Sequence, residues 1–523
     1  MNALFFIIVS IICISSVLFY LASYSIDTMF LSFGGNIFKL EINIDYIAIL
    51  SILMLLICFL YVLGYSKHYF DGDVVYIDLN KIICTFVAVM TSLILTGDFL
   101  STLIFWEYLG VVSFFLILFY SSYLSLRSSI ITLVSSRFGD VSLFMLIMVC
   151  SSYLINIHIP LIIIFLLIIL TKSASFPFIS WLLEAMRAPT PISSLVHSST
   201  LVAAGVWFSM RYDFLLYFNS ISILSLLLLL TIFISGLSCF FFVDLKKIVA
   251  LSTCNNVSWC VLYLIFGEVI LALFQLISHG VSKCMLFMLV GDVMSGSNGS
   301  QTSNCVYNSY LYGNWGVFSL LSIILGLSGA PFIGVFFTKH LLLTNFMNIN
   351  SIGLSIIILI CVFLSYFYSF RFCSLLLNTL SSSVIGVLYC FNSNLIIYFW
   401  LFINFILALI LDEFSHNNFI ISINLILFQI IACYTAYFFY NSGLLSNWSS
   451  SLFGSDSTVE AMYSIFMGSL NLCTIFFYRW DNFSLSLFNN CGISSLSIYT
   501  SKLLNITIMS IFLFLMCFSI IYN

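Results

Sequence analysis

Runs of about twenty apolar residues follow one another along nearly the whole chain, and nothing else in the sequence limits the fold so severely. They lie near 3–23, 45–65, 80–97, 99–120, 129–151, 158–182, 190–211, 220–242, 248–266, 269–291 and 315–337, with further candidates near 339–348, 351–373, 394–411, 418–440 and 501–521. A helix of that length crosses the hydrocarbon core of a bilayer with its backbone groups bonded inside the segment. The expected fold is all-α, a polytopic transmembrane helix bundle of roughly 15–16 helices. Composition agrees: 62% of residues are hydrophobic and 7% charged, and the mean hydropathy is +1.20. A soluble domain with so little charge would expose large apolar patches and precipitate.

Several function classes drop out. The net charge of −4 comes with no basic stripe for nucleic acid and no acidic tail. The 16 cysteines are scattered singly, without a C-x-x-C pair, so neither a zinc nor an iron–sulfur site is expected. They read as small apolar filler. The N-terminus stays apolar to about Ala22, and its first basic residue is Lys39. That pattern fits a retained span rather than a secretory or Arg-rich transit peptide. It suggests a protein made in the organelle or bacterium that uses it.

Three divisions are expected: N-terminal helices and a hairpin loop over 1–98, a core over 99–373, and C-terminal helices over 374–523. Segment 24–44, with Gly34 and Gly35 between short apolar runs, is too polar to span and reads as an extramembrane hairpin or loop. The longest polar interruptions are 292–314 and 441–500. Segment 457–488 is apolar but punctuated by Tyr478, Arg479, Trp480 and Asp481, which favours a helix lying along the membrane over a further span. A terminal anchor is expected over 501–521.

The prolines concentrate the chemistry. Pro160, Pro177, Pro189 and Pro191 fall in one short stretch, and the fifth is Pro331. Proline breaks a helix and frees a carbonyl, which membrane proteins tolerate where protein or water satisfies the exposed groups. Lys172 precedes Pro177 and Lys339 follows Pro331. Two broken helices beside charges mark an ion path.

A charge at the centre of a span costs about 2.5–3.5 kcal/mol on insertion scales, so each survivor needs a reason. Glu107, Lys172, Lys283 and Lys339 have no partner within one helical turn and must find one on another helix or in a hydrated cavity. Arg137 and Asp140 lie one turn apart and can neutralise each other, as a structural ion pair or as part of the path. His279 and Lys283 share one face, with Gln275 a turn earlier. His197 lies in a serine-rich stretch, and Lys246 and Lys247 open a span, either as path residues or as interfacial anchors. Burial disfavours a lysine's cation and a nearby carboxylate restores it, so moving the carboxylate loads or unloads a proton. Histidine, titrating near neutrality, passes protons between such lysines. A row of Glu, Lys, His and Lys is thus a proton wire, and by physics alone it equally suits Na⁺/H⁺ exchange.

The stretch from Leu170 to Gly205, with Lys172, Pro177, Trp181, Ala188-Pro189-Thr190-Pro191 and His197, resembles the signature of subunit 5 among the antiporter-like subunits of respiratory complex I. The resemblance continues in Phe105-Trp106-Glu107, Arg137-Phe138-Gly139-Asp140 and the run from Asp244 to Thr253. It continues again in the runs from Leu276 to Lys283 and from Gly334 to Lys339. It covers about residues 100–345, with the motifs in family order. It implies an antiporter-like fold with inverted repeats, and a subunit of the proton-translocating NADH:ubiquinone reductase. Glu107, Lys172, Lys283 and Lys339 would carry protons. His197, Gln275, His279 and His340 would relay them, with Arg137, Asp140, Asp244, Lys246 and Lys247 as supporting charges. The family pairs the glutamate matching Glu107 with the broken-helix lysine matching Lys172. The chain itself would hold no cofactor; NAD, FMN, iron–sulfur clusters and ubiquinone would belong to partner subunits. Implied partners are the other membrane-arm subunits, above all the antiporter-like subunit 4, and the lipid bilayer. The implied location is the mitochondrial inner membrane, or else a bacterial plasma membrane. A lysine at the distal position resembles subunit 5 rather than subunit 4. Two departures stand out: Gln275 where the family has a further histidine, and His340 where an acid usually follows the distal lysine. The chain is also somewhat short for the family, with the loss falling in 441–500.

Overall fold

The computed structural model describes residues 24–33, 36–70, 73–151, 158–212, 221–297, 299–309, 313–330, 334–347, 352–382, 400, 404, 419–440, 455–488 and 506–511. The expected span at 3–23, the proline at 331, and all but two residues of 394–411 fall outside them. So does most of 501–521.

Segment 24–44 forms an antiparallel hairpin, β1 (Tyr24–Phe33) and β2 (Asn36–Ile44), with a register shift between Met29 and Leu31. Its second strand docks on the bundle through backbone groups. Glu41 N–H donates to Asp98 Oδ2 at 2.7 Å, and Gly97 N–H donates to the Glu41 carbonyl at 2.8 Å. Gly97 permits this approach, since a Cβ there would collide with Glu41 and Asn43.

The helices follow in order: α1 (Tyr46–Tyr69), α2 (Val75–Leu95), α3 (Phe99–Ile117), α4 (Tyr123–Ser151) and α5 (His158–Lys172). Two short helices, α6 (Ser180–Ala185) and α7 (Thr190–Leu195), lead through a π-turn at Val196–Thr200 into α8 (Leu201–Arg211). Then come α9 (Ile221–Phe241), α10 (Leu245–Ile265), α11 (Val269–Gly296), α12 (Gly313–Ser328), α13 (Gly334–Met347), α14 (Ile352–Leu377) and α15 (Phe419–Phe439). A two-strand parallel contact, β3 (Tyr307–Ser309) with β4 (Leu380–Ser382), ties the loop after α11 to the end of α14.

Among the described residues, eleven helices are long and apolar enough to cross a membrane. Segments 190–211 and 245–265 are wholly buried inside the bundle and α11 mostly so, whereas α4 and α15 turn most of their surface outward. Lys246, His279 and Lys283 are carried by these inner helices, where other helices surround them. Aspartates stand at three helix starts, Asp45 before α1, Asp98 before α3 and Asp244 before α10. A negative charge there complements the helix dipole.

Packing divides the chain at one place. Residues up to Ser455 form one compact unit and Asp456–Asn523 another. The second unit contains most of one continuous helix, α16 (Ser455–Phe488). At 1.5 Å per residue its 34 residues extend about 51 Å, well beyond a hydrocarbon core of about 30 Å. Another difference from the sequence reading concerns α11, which runs through Gly296 although the apolar span ends near 291. Its last turn is held by the pairing of Asp292 with His68 of α1 together with burial of Val293 and Met294.

Candidate functional site

Four charges from three neighbouring helices form a ladder of alternating sign. Glu107 of α3 forms an ion pair with Arg137 of α4. Arg137 lies 3.4 Å from Asp140 one turn along α4, and Asp140 lies 3.7 Å from Lys172 at the end of α5. Arg137 and Asp140 thus do not simply neutralise each other, and Lys172 meets Glu107 through this pair. Lys172 and Asp140 are almost fully buried, at 1% and 3% side-chain exposure, while Glu107 and Arg137 are exposed at 39% and 41%. Trp106 supplies one wall: the Lys172 ammonium sits 5.1 Å from its ring centroid, within cation–π range. Gly139 lets α4 close on α5, because a side chain there would collide with Thr171.

Lys172 ends its helix because the chain then breaks. Ala174 takes a left-handed conformation (φ 52°) and the Phe176–Pro177 peptide is cis. The freed end carbonyls of α5 find donors, among them the Trp181 indole, which donates to the Thr171 carbonyl at 3.1 Å. Beyond the break, Lys172, Ser113, Thr132, Ser135, Thr171 and His197 line one cavity. His197 belongs to the π-turn, a geometry frequent at functional sites. It is fully buried, and neither ring nitrogen bonds a protein group.

Lys246 and Lys247 have different fates. Lys246 is buried and donates to the carbonyls of Met186 (3.3 Å) and Ala188 (2.7 Å), closing the gap between α6 and α7. Lys247 is half-exposed and pairs with Asp244 at 2.9 Å. The anchor reading therefore fits Lys247 and not Lys246.

Lys283 and Lys339 have no carboxylate within ion-pair distance among the described residues. Neutral dipoles serve them instead. Lys283 donates to Ser252 Oγ of α10 and lies 3.4 Å from the Val249 carbonyl. Lys339 donates to the carbonyl of Ser328, the last residue of α12, at 2.5 Å and to Ser365 Oγ at 2.8 Å, with its ammonium 4.4 Å from the Tyr366 ring centroid. A cation at the end of α12 complements the negative end of the helix dipole. The chain turns there at Gly329 (φ 88°), whose carbonyl accepts from Gln429 at 2.7 Å. One cavity is lined by Lys283, Ser252, Asn256, Ser328, Tyr368 and Ser369, so it joins the central lysine to the residue that holds the distal one.

The other expected relay residues lie close by. Gln275 accepts from Thr338, the neighbour of Lys339, at 3.0 Å. His279 is buried, with Nε2 bonded to no protein group. Neither lines the cavity, so the stripe of 275, 279 and 283 touches it only through its lysine. His340 turns away to Ser422 of α15 at 3.1 Å. Four ionisable residues were not anticipated from sequence: Arg211, Arg371, and His68 with its partner Asp292. Arg371, in the apolar run 351–373, donates to the Cys239 and Phe242 carbonyls at 3.0 and 2.9 Å. The rule that singled out Glu107, a charge inside a span, would have found it. Arg211 holds the foot of the bundle, pairing with Asp45 and donating to the carbonyls of Thr96 and Asn43.

Residues 96–365 match the family described as NADH:quinone oxidoreductase/Mrp antiporter, transmembrane. Among curated relatives, NADH-ubiquinone oxidoreductase chain 5 of Ascaris suum is 31% identical over 76% of this chain and 73% of its own length. The chain 5 proteins of Artemia franciscana and Caenorhabditis elegans are 33% and 34% identical, over 59% and 64% of this chain. Those two alignments span 58% and 65% of the relatives' own lengths. Among solved structures, the Mrp complex from Dietzia sp. DQ12-45-1b superposes with a TM-score of 0.72 at 18% identity, over 97% of this chain and 59% of that one. The archaeal membrane-bound sulfane sulfur reductase gives 0.64 at 17% identity, over 83% and 93%. These two likenesses concern the fold.

Proposed function

Because the chain belongs to the NADH:quinone oxidoreductase/Mrp antiporter transmembrane family and within it to the chain 5 proteins, we propose that it carries protons across the membrane as a subunit of NADH:ubiquinone reductase. The observation behind this reading is the order of buried groups across the bundle. A charge ladder ends on Lys172, a cavity leads from Lys172 to His197, and a second cavity leads from Lys283 to the Ser328 carbonyl that holds Lys339.

The ladder supplies a physical device. Arg137, within reach of both carboxylates, can shift its weight between Glu107 and Asp140. When it leans toward Glu107, Asp140 is left to stabilise the Lys172 cation; when it leans toward Asp140, that support weakens and Lys172 gives up its proton. His197 is placed to accept it through the shared cavity. Lys283 and Lys339, held by neutral dipoles, load and unload without a fixed counter-charge. His279 and Gln275 lie beside them as relay groups.

Glu107 and Arg137 sit in the middle of membrane-spanning segments yet are partly exposed on this chain. Charges cannot face lipid there without a large cost. That supports a neighbouring membrane-arm subunit covering them, and the antiporter-like subunit 4 is the partner we propose. The redox centres that the reaction needs (NAD, FMN, iron–sulfur clusters and ubiquinone) are assigned to partner subunits. The proposed location is the mitochondrial inner membrane. The length of α16 suits a helix lying along the membrane.

The test uses the assembled complex in sealed vesicles. Native complex should co-purify with flavin and iron–sulfur absorbance, and NADH oxidation should drive proton uptake in sodium-free medium. Lys172→Ala and Lys339→Ala should lower the proton-to-electron ratio, and since removing a buried ammonium eases insertion, the helices should still assemble. An unchanged ratio in both variants would sink the proposal. Transport that stops when sodium is omitted would favour cation exchange instead.

A further inference from the structure

At one end of the bundle, α1 and α11 finish side by side among water-loving residues. Lys67 and Asp73 are exposed there, and Lys81 pairs with Asp78 in the open at 2.9 Å. Against that boundary, His68 of α1 pairs with Asp292 of α11, Nε2 to Oδ1 at 3.3 Å. The two are placed unequally: the His68 side chain is 24% exposed and that of Asp292 only 2%. One end of the pair opens at the surface and the other is sealed inside.

Hydroxyl groups lead inward from this point. Tyr65, one turn before His68, is fully buried, and its hydroxyl lies 3.5 Å from Thr190 Oγ1 at the start of α7. The same hydroxyl lies against the backbone of Gly291, next to Asp292, where any side chain would collide with it. From Thr190 the buried polar residues recur at helical spacing as Ser193, Ser194 and His197. The seven-residue interval from Thr190 to His197 is about 10 Å of helix rise. Ser193 and Ser194 donate to the carbonyls of Thr190 and Pro191 at 2.9 and 2.7 Å, leaving their oxygens able to accept. The stripe ends on His197, buried and unbonded to protein, at the cavity it shares with Lys172.

We propose that the His68–Asp292 pair is a proton port, exchanging protons between the aqueous phase at the ends of α1 and α11 and His197 by way of Tyr65, Thr190 and the α7 serines. This rests on the proton-carrying function proposed above. His68 takes or gives the proton at the surface, Asp292 stabilises its charged form, and the hydroxyls pass the proton by exchanging hydrogen bonds, so that no net charge stays on them.

The experiment compares four variants in the assembled complex: His68→Gln, Asp292→Asn, Asp292→Glu and Lys283→Ala. Each is scored for complex abundance, NADH oxidation and proton-to-electron ratio. Glutamine can still donate a hydrogen bond to Asp292 but cannot titrate, so His68→Gln keeps the structural contact and removes only proton exchange. The expected result is normal abundance for His68→Gln with a loss of pumping comparable to that of Lys283→Ala. Asp292→Glu should restore pumping where Asp292→Asn abolishes it. Pumping intact in His68→Gln while Lys283→Ala fails would overturn the port and leave the function standing. Pumping intact in all of them would overturn both. Should His68→Gln assemble poorly, Tyr65→Phe gives a second reading, because it keeps the buried ring and removes only the hydroxyl that reaches Thr190. Normal abundance with lost pumping supports the port, and intact pumping overturns it.

Discussion

Asp140 bears more of the site than any other single side chain. It is buried and lies within ion-pair distance of two cations, Arg137 and Lys172, whereas Glu107 serves Arg137 alone. Removing one partner of a buried ion pair costs about 3–5 kcal/mol, because the survivor stays in low dielectric without compensation. Asp140→Asn leaves Lys172 with no carboxylate in reach, but Glu107→Gln leaves Arg137 still beside Asp140. Asp140→Asn is therefore expected to reduce both assembled complex and NADH-linked turnover more than Glu107→Gln. Complex abundance on native gels and turnover in membranes measure this, and equal damage from the two would contradict the ladder. The sequence announced that these charges matter, since each sits in an apolar run. It could not announce the pairing, because Asp140 and Lys172 are 32 positions apart and meet only when α4 packs on α5. The fates of Lys246 and Lys247 were hidden for a related reason. Adjacent residues on a helix point about 100° apart, and the sequence does not say which direction faces inward.

At the scale of elements, the helix breaks hold the lysines. The prolines made the first break legible, and the span pattern located most helices, because length and hydropathy are local properties. Local signals could not foresee the π-turn at Val196–Thr200, where hydroxyls bond back to carbonyls such as Thr200 Oγ1 to the Leu195 carbonyl at 2.9 Å. Nor could they foresee how α8 seats against the first break. Gly205 of α8 faces the end of α5, and a Cβ there would lie 3.1 Å from Ser173 N and 3.2 Å from the Ile169 carbonyl. Both neighbours are backbone, so they cannot swing aside. Gly205→Val should force α8 away from the residue that follows Lys172, at an overpacking cost of about 1–3 kcal/mol. Less assembled complex and slower turnover are expected, with Gly205→Ala intermediate. Wild-type abundance and turnover in the valine variant would show that the contact is not tight.

For the whole molecule, the question is where along the path a proton can rest. The inner helices place His197, Lys246, His279 and Lys283 away from lipid, yet they are not equivalent stations. Lys283 lines the cavity that reaches Ser328 and is hydrogen-bonded at Ser252, so a proton stored there has both a holder and an onward route. His279 lies one turn earlier on the same face but outside that cavity lining, and its Nε2 meets no protein group. Gln275, where a second imidazole would have extended the relay, is engaged with Thr338 and cannot hold a proton. On the proposed function, storage would fall to the lysine, and the histidine would shorten the distance a proton travels to reach it. Lys283→Ala removes the ammonium from the cavity lining and should abolish pumping. His279→Ala removes an intermediate step that water can bridge and should slow pumping only in part. The measurement is proton uptake per NADH oxidised, taken on equal amounts of assembled complex over a range of turnover rates. Slowing confined to high turnover in His279→Ala fits a lost relay, whereas complete loss in both variants would mean that the histidine stores the proton as well.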